Sequence, residues 1–234
     1  MQNVLICSNC GKGNAFYKLT CTECKSFLRA RIVNLDFWDT IWKIFYSPIQ
    51  TAQNIIQAEN KNYSVTCALL TAFKFSLISL ILMNAFRIND VSDQSLLTGM
   101  LKGGVVFLVL IFIFSLVMKF INKKLGVEGR VKDGLTIYVY SGIPLIMTLL
   151  ILTPIQFALF GEYWFTFNPS PLIMKPRAAV AILIIEGVMI IWTAVLFVTS
   201  TYAQTKNVLY SLVTGLIGFF AITGAIFYFS VFIH

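Results

Sequence analysis

Five stretches of this chain are long and apolar enough to leave the sequence few places to fold. A helix needs roughly 20 apolar residues to cross the hydrocarbon of a bilayer. The stretches run from about Tyr63 to Phe86, Gly103 to Ile121, Leu135 to Phe160, Ala178 to Tyr202 and Val208 to Ile233. Charged residues make up 12% of the 234, about half the share of a soluble globular domain. The pattern predicts an all-α polytopic membrane protein with five transmembrane helices. The net charge is +8, but the cations cluster between the apolar stretches. That distribution speaks for membrane topology and against nucleic acid.

Four of the five cysteines lie ahead of the first stretch. Cys7-Ser8-Asn9-Cys10 and Cys21-Thr22-Glu23-Cys24 are two Cys-x-x-Cys knuckles, a spacing that lets four thiolates close a tetrahedron around Zn²⁺. Gly11, just after the first knuckle, suits the left-handed backbone such turns need. With four protein ligands, Cys7, Cys10, Cys21 and Cys24, no coordination position stays open, so the predicted zinc is structural. A disulfide pair or a redox dithiol is the rival reading, and no thioredoxin-like context surrounds either motif. The fifth cysteine, Cys67, falls inside the first apolar stretch and reads as packing. The expected organisation is a zinc ribbon over 1–30, an amphipathic interfacial segment over 31–62 and a five-helix membrane domain over 63–234.

Orientation follows from the cations. Seven Lys/Arg precede the first stretch, and five flank the second connection: Lys119, Lys123, Lys124, Arg130 and Lys132. An inside amino terminus puts thirteen cations inside, counting Lys206, against Arg87, Lys102, Lys175 and Arg177 outside. Reduced thiolates also belong in the cytosol. No basic n-region precedes Cys7, so the first span is expected to direct insertion, with the carboxyl terminus outside. The membrane would be the inner or plasma membrane of a prokaryote, or the Golgi or ER of a eukaryote.

Between ribbon and spans, Phe37, Ile41, Ile44 and Phe45 recur at helical spacing, as do Trp38 and Trp42. Pro48 must break or restart that helix. Tryptophan favours the membrane interface, so two short helices on the cytosolic face are expected, the alternative being ordinary packing on the bundle. Tyr163 and Trp164 in the third connection read as an interfacial belt, a ligand-gripping lid being the alternative.

Two ionisable residues fall at bilayer depth, Lys74 in the first stretch and Glu186 in the fourth. Each costs about 2.5–3.5 kcal/mol to insert. A buried interhelical pair, snorkelling and ion coupling are the open readings. Tyr138, Tyr140, Ser141 and Pro144 form a second polar cluster, where the proline frees backbone carbonyls. Thr214, Gly215 and Gly218 suggest close helix approach. Enzymatic signatures are lacking, and the only histidine is His234.

The order of elements resembles a known family. Phe45-Tyr46-Ser47-Pro48 in an aromatic amphipathic stretch precedes five spans, and Tyr138-Val139-Tyr140-Ser141-Gly142-Ile143-Pro144 opens the third. This is similar to the Yip-domain family of Ypt/Rab-interacting membrane proteins, over roughly residues 35 to 234. The resemblance implies a cytosolic amino-terminal region and, for eukaryotic members, a link to membrane trafficking. The expected function is a non-enzymatic membrane organiser or scaffold. Its partners would be the lipid bilayer and a cytosolic protein, with a homo-oligomer also open. The alternative is a small-molecule or ion transporter using Lys74 and Glu186.

Overall fold

The computed structural model describes residues 3–86 and 96–232. Arg87, Ile233 and His234 of the sequence reading lie outside the described residues. The chain divides into two compact units. One comprises Met1–Val65, Phe112–Ser141 and Leu196–Gly218, the other Thr66–Ile111, Gly142–Val195 and Phe219–His234.

In the first unit, β1 (Val4–Ile6) pairs antiparallel with β2 (Gly13–Ala15), Val4 opposite Ala15 and Ile6 opposite Gly13. The turn joining them carries the first knuckle, and a bridge between Thr20 and Phe27 closes the second. Helix α1 (Phe37–Tyr46) starts where the Asp36 carboxylate accepts from the Asp39 N–H, and an Asp39–Lys43 pair one turn apart supports it. It stops at Ser47, and Pro48 opens α2 (Pro48–Gln57), the restart expected of a proline at a first helical position. Thr40, Ile41 and Ile44 are buried. The opposite face presents Trp38, Trp42 and Tyr46, which are 69%, 63% and 70% exposed. These three recur every fourth residue, so they form one stripe.

Among the described residues, five helices are long and apolar enough to cross a membrane: Ser64–Phe86, Thr98–Lys124, Ile143–Phe160, Pro176–Thr205 and Val208–Phe229. They belong to α3 (Ser64–Phe86), α4 (Leu96–Lys124), the third apolar stretch, α10 (Pro176–Thr205) and α11 (Val208–Phe232). The third stretch, expected from Leu135 with Pro144 and Pro154 inside it, starts earlier and is interrupted. It is divided into α5 (Val131–Tyr140), α6 (Ile143–Met147), a π turn over Thr148–Leu152, and α7 (Thr153–Phe160). Both prolines explain this. Pro144 has no N–H for the Tyr140 carbonyl, and the helix breaks at Ser141–Gly142. Pro154 likewise cannot donate, and the preceding Thr153 N–H reaches five residues back to the Thr148 carbonyl.

In the second unit, two short helices, α8 (Tyr163–Thr166) and α9 (Pro171–Met174), occupy the third connection. Trp164 does not join a surface belt there. It packs against Phe160, centroids 5.1 Å apart, in a cluster with Leu77, Ile81, Leu152 and Ile182. The Asn84 amide donates to the Phe165 carbonyl at 2.8 Å and fixes this segment. Phe75 stacks on Phe107 at 5.2 Å.

Close helix approach occurs in the first unit at the glycines expected. A Cβ on Gly215 would lie 2.7 Å from the Val198 Cα, and one on Gly218 would overlap the Phe114 ring.

Candidate functional site

The knuckles bring the four sulfurs within 4.8 Å of one another. Cys7 and Cys24 lie 3.5 Å apart, as do Cys10 and Cys21. A tetrahedral zinc with 2.3 Å bonds needs edges of roughly 3.8 Å, so the cage has the size of a metal site. The two turns are built alike. Gly11, after Cys10, has φ +71°, and Lys25, after Cys24, has φ +60°. The Gly11 N–H donates to the Cys7 carbonyl at 2.9 Å. Outer donors complete the cage: Ser26 Oγ is 3.1 Å from Cys7 Sγ and 3.0 Å from Cys24 Sγ, and Asn14 Nδ2 reaches Cys21 Sγ at 3.5 Å. The Ser26 hydroxyl, then its backbone N–H, hold the Cys24 thiol down at about 5. The backbone N–H of Cys24 leads in lowering Cys21. Four cysteines with this geometry and chemistry could hold a metal ion.

The ribbon is bound to helices of its own unit. Arg29 donates to the Tyr17 carbonyl at 3.1 Å and to the Gln57 carbonyl at 2.8 Å, tying the ribbon to the end of α2. Asn3 Nδ2 donates to the carbonyls of Ala203 and Gln204, in the last turn of α10. The Arg130 guanidinium sits 4.7 Å over the Tyr17 ring. Below it, buried Asp133 takes Arg130 through both oxygens, at 2.7 and 3.1 Å, and Lys61 at 3.1 Å. The same Lys61 ammonium donates to the carbonyls of Ile55 and Ile56 and caps α2.

The tyrosine cluster falls on α5. Tyr138 is fully buried, its hydroxyl 3.1 Å from Thr201 Oγ1 and 3.3 Å from Gln204 Nε2. Gln204 continues to Asn122 at 3.4 Å, and Tyr210 donates to Asn122 at 2.9 Å. Ser141 Oγ donates to the Ile137 carbonyl at 2.8 Å and meets Ser200 Oγ at 2.8 Å. The Tyr140 hydroxyl donates to the Asn62 carbonyl. These contacts lie within one unit and fix α5 against α10 and the residues ahead of α3. Pro144 lies buried in the first turn of α6, in the other unit.

In the second unit Lys74 and Glu186 form an ion pair. Lys74 Nζ also donates to Thr153 Oγ1 at 3.2 Å, and Gln156 Nε2 donates to Glu186 Oε2 at 2.9 Å. The π turn precedes Thr153 immediately, in keeping with the frequency of such bulges at polar sites. Lys74 is 0% exposed. The structure therefore joins the two residues the sequence singled out by their cost.

Sequence reasoning missed the partners: Gln156 and Thr153, Asn122 and Gln204, and the Arg29, Lys61 and Asp133 set. Neutral polar residues at the ends of apolar stretches carry little signal. The one clue available was Asp133, an acid inside a strongly basic connection. No curated protein and no solved structure matches the chain. The Yip1 domain matches residues 42–223, more than three quarters of the sequence. With five apolar helices behind an aromatic Ser-Pro stretch, this chain belongs to the Yip1 domain family.

Proposed function

We propose that the protein is a non-enzymatic membrane organiser that presents a zinc ribbon and an aromatic interfacial helix on the cytosolic face. Zn²⁺ is the metal best suited to four thiolates at this spacing. It is structural, because the four sulfurs fill its coordination, and the chain is oriented with the ribbon inside and the carboxyl terminus outside. The observation that carries this reading is the ribbon's attachment. Arg29 joins the Tyr17 and Gln57 carbonyls, so ribbon and α2 form one preorganised surface rather than a tethered bead. A surface ordered beforehand spends less of its binding energy on immobilisation.

The exposed stripe of Trp38, Trp42 and Tyr46 supports a lipid-facing role for α1. Phe37 packs 4.9 Å from Tyr63, the residue just before the first span, and this contact supports an interfacial position for α1. Indole and phenol side chains favour that depth.

Transport is the second reading. It has one observation behind it: Gln156 Oε1 is buried beside Glu186 without a partner among the described residues, a polar atom able to accept from a solute or water. Against it, Lys74 and Glu186 neutralise each other. Site-directed photocrosslinkers at exposed positions of residues 3–60, with flux measured in liposomes, separate the two. The organiser reading expects specific crosslinks and no flux. Solute flux abolished by Glu186→Gln, with no crosslinks, would replace it with transport.

A further inference from the structure

The cations of the ribbon seam exceed the acids available to them. Arg29, Lys61 and Arg130 gather around a single buried carboxylate, Asp133, and the charge of Lys132 acts on Lys61. The remaining pair, Arg31 and Glu59, is exposed and closed on itself through two hydrogen bonds of 2.9 and 3.0 Å. Cations still outnumber acids when the exposed Glu128, two residues ahead of Arg130, is included. Arg29 and Arg130 both converge on Tyr17, one through its carbonyl and one over its ring. Two guanidiniums at one residue repel each other, and half-burial weakens the screening that would relieve them.

Arg29 bears a second mark. Its Nε is buried and has no acceptor among the described residues, although both terminal nitrogens are bonded. A guanidinium with an unused Nε–H, beside a second guanidinium, can donate a charge-assisted hydrogen bond to one oxygen of a phosphate or carboxylate. The Lys132 side chain is exposed and has no ion pair among the described residues. Burial, then the charge of Arg130, push the Arg29 guanidinium below its ordinary value, and burial lowers Lys61 despite Asp133.

The geometry points to an anion site at this seam, in which Arg29, Arg130 and Lys132 hold a phosphate group. It rests on the organiser reading for its setting beside the bilayer, and two sources share the chemistry: the headgroup of an anionic lipid and free phosphate. Lys61, three residues ahead of α3, belongs to the cluster, so the seam lies next to the start of the first span.

The test uses the full, zinc-loaded chain. Native mass spectrometry counts phosphatidic acid retained against phosphatidylcholine, whose choline cancels the phosphate charge. A parallel arm measures the shift in unfolding temperature caused by sodium phosphate against chloride in lipid-free detergent at matched ionic strength. The wild type should retain phosphatidic acid preferentially, and Arg29→Gln should lower that retention about tenfold, the scale of one lost hydrogen bond to a charged group. Lys132→Gln, at an exposed position, should lower it with no change in unfolding temperature, which separates binding from folding. Stabilisation by free phosphate, lost in both variants, identifies a soluble ligand at the same site. Equal retention of both lipids with no phosphate effect overturns the site, as does retention that neither variant changes. Failure here with ribbon crosslinks intact leaves the organiser reading standing, and lipid selectivity without crosslinks does the reverse.

Discussion

Lys74 on α3 and Glu186 on α10 close on each other as an ion pair, with Thr153 bonded to the ammonium and Gln156 to the carboxylate. Removing one partner of such a pair strands the other charge in a low-dielectric interior. Lys74→Met or Glu186→Gln alone should each cost about 3–5 kcal/mol. The double variant should cost well under the sum, since neither charge is then left alone. Reversible unfolding in mixed micelles measures the cycle, and strictly additive losses would show that the two side chains do not depend on each other.

Gly215 tests the packing of α11 on α10. A methyl group there would meet the backbone of Val198, which cannot rotate away as a side chain could. Gly215→Ala should therefore cost about 1–3 kcal/mol. Gly224, on the same helix, has open space around its missing Cβ. Gly224→Ala should be neutral or stabilising by up to about 1 kcal/mol, the difference in helix propensity. A thermal unfolding comparison suffices, and equal effects would contradict the close approach.

For the sulfur cage, Ser26 supplies hydroxyl contacts to two of the four cysteines. Ser26→Ala should weaken metal retention against a chelator by about tenfold or more. Lys25 occupies the left-handed position that Gly11 fills in the other knuckle. Lys25→Gly should thus slow metal loss while Gly11→Ala speeds it, because only glycine adopts that backbone without steric cost. Chromogenic zinc release followed in time reads all three.

Tyr138 joins Thr201 and Gln204 in a fully buried network. Tyr138→Phe removes the shared oxygen and leaves the Gln204 amide short of an acceptor, a loss of about 1–3 kcal/mol. Adding Thr201→Val should not double the loss, since the two positions share one interaction. A fully additive pair of losses, in the same unfolding assay, would remove the network from consideration.

What could be read from the letters alone divides along chemical lines. The spans were legible because bilayer thickness demands about 20 apolar residues in a row, and the cage because thiolate ligation demands close cysteine spacing. Lys74 and Glu186 announced themselves by cost. The split of the third stretch was signalled by Pro144 and Pro154, but not the site of the break, which depends on where Ser141 finds partners on α10. Trp164 misled because an aromatic near a span end suits either a belt or a core, and only the fold of α8 decides. The seam of Arg29, Lys61, Arg130 and Asp133 spans about a hundred residues of sequence, and no local pattern joins such positions.

Asn3 holds the final carbonyls of α10 from two hundred residues away. Equilibrium linkage runs in both directions: if the amino-terminal fold depends on a bound ion, stripping that ion should also fray the last turn of α10, and loosening that helix end should weaken the affinity for the ion. The extreme amino end is thus a poor attachment point for a fluorescent reporter, whose drag would fall on a membrane helix.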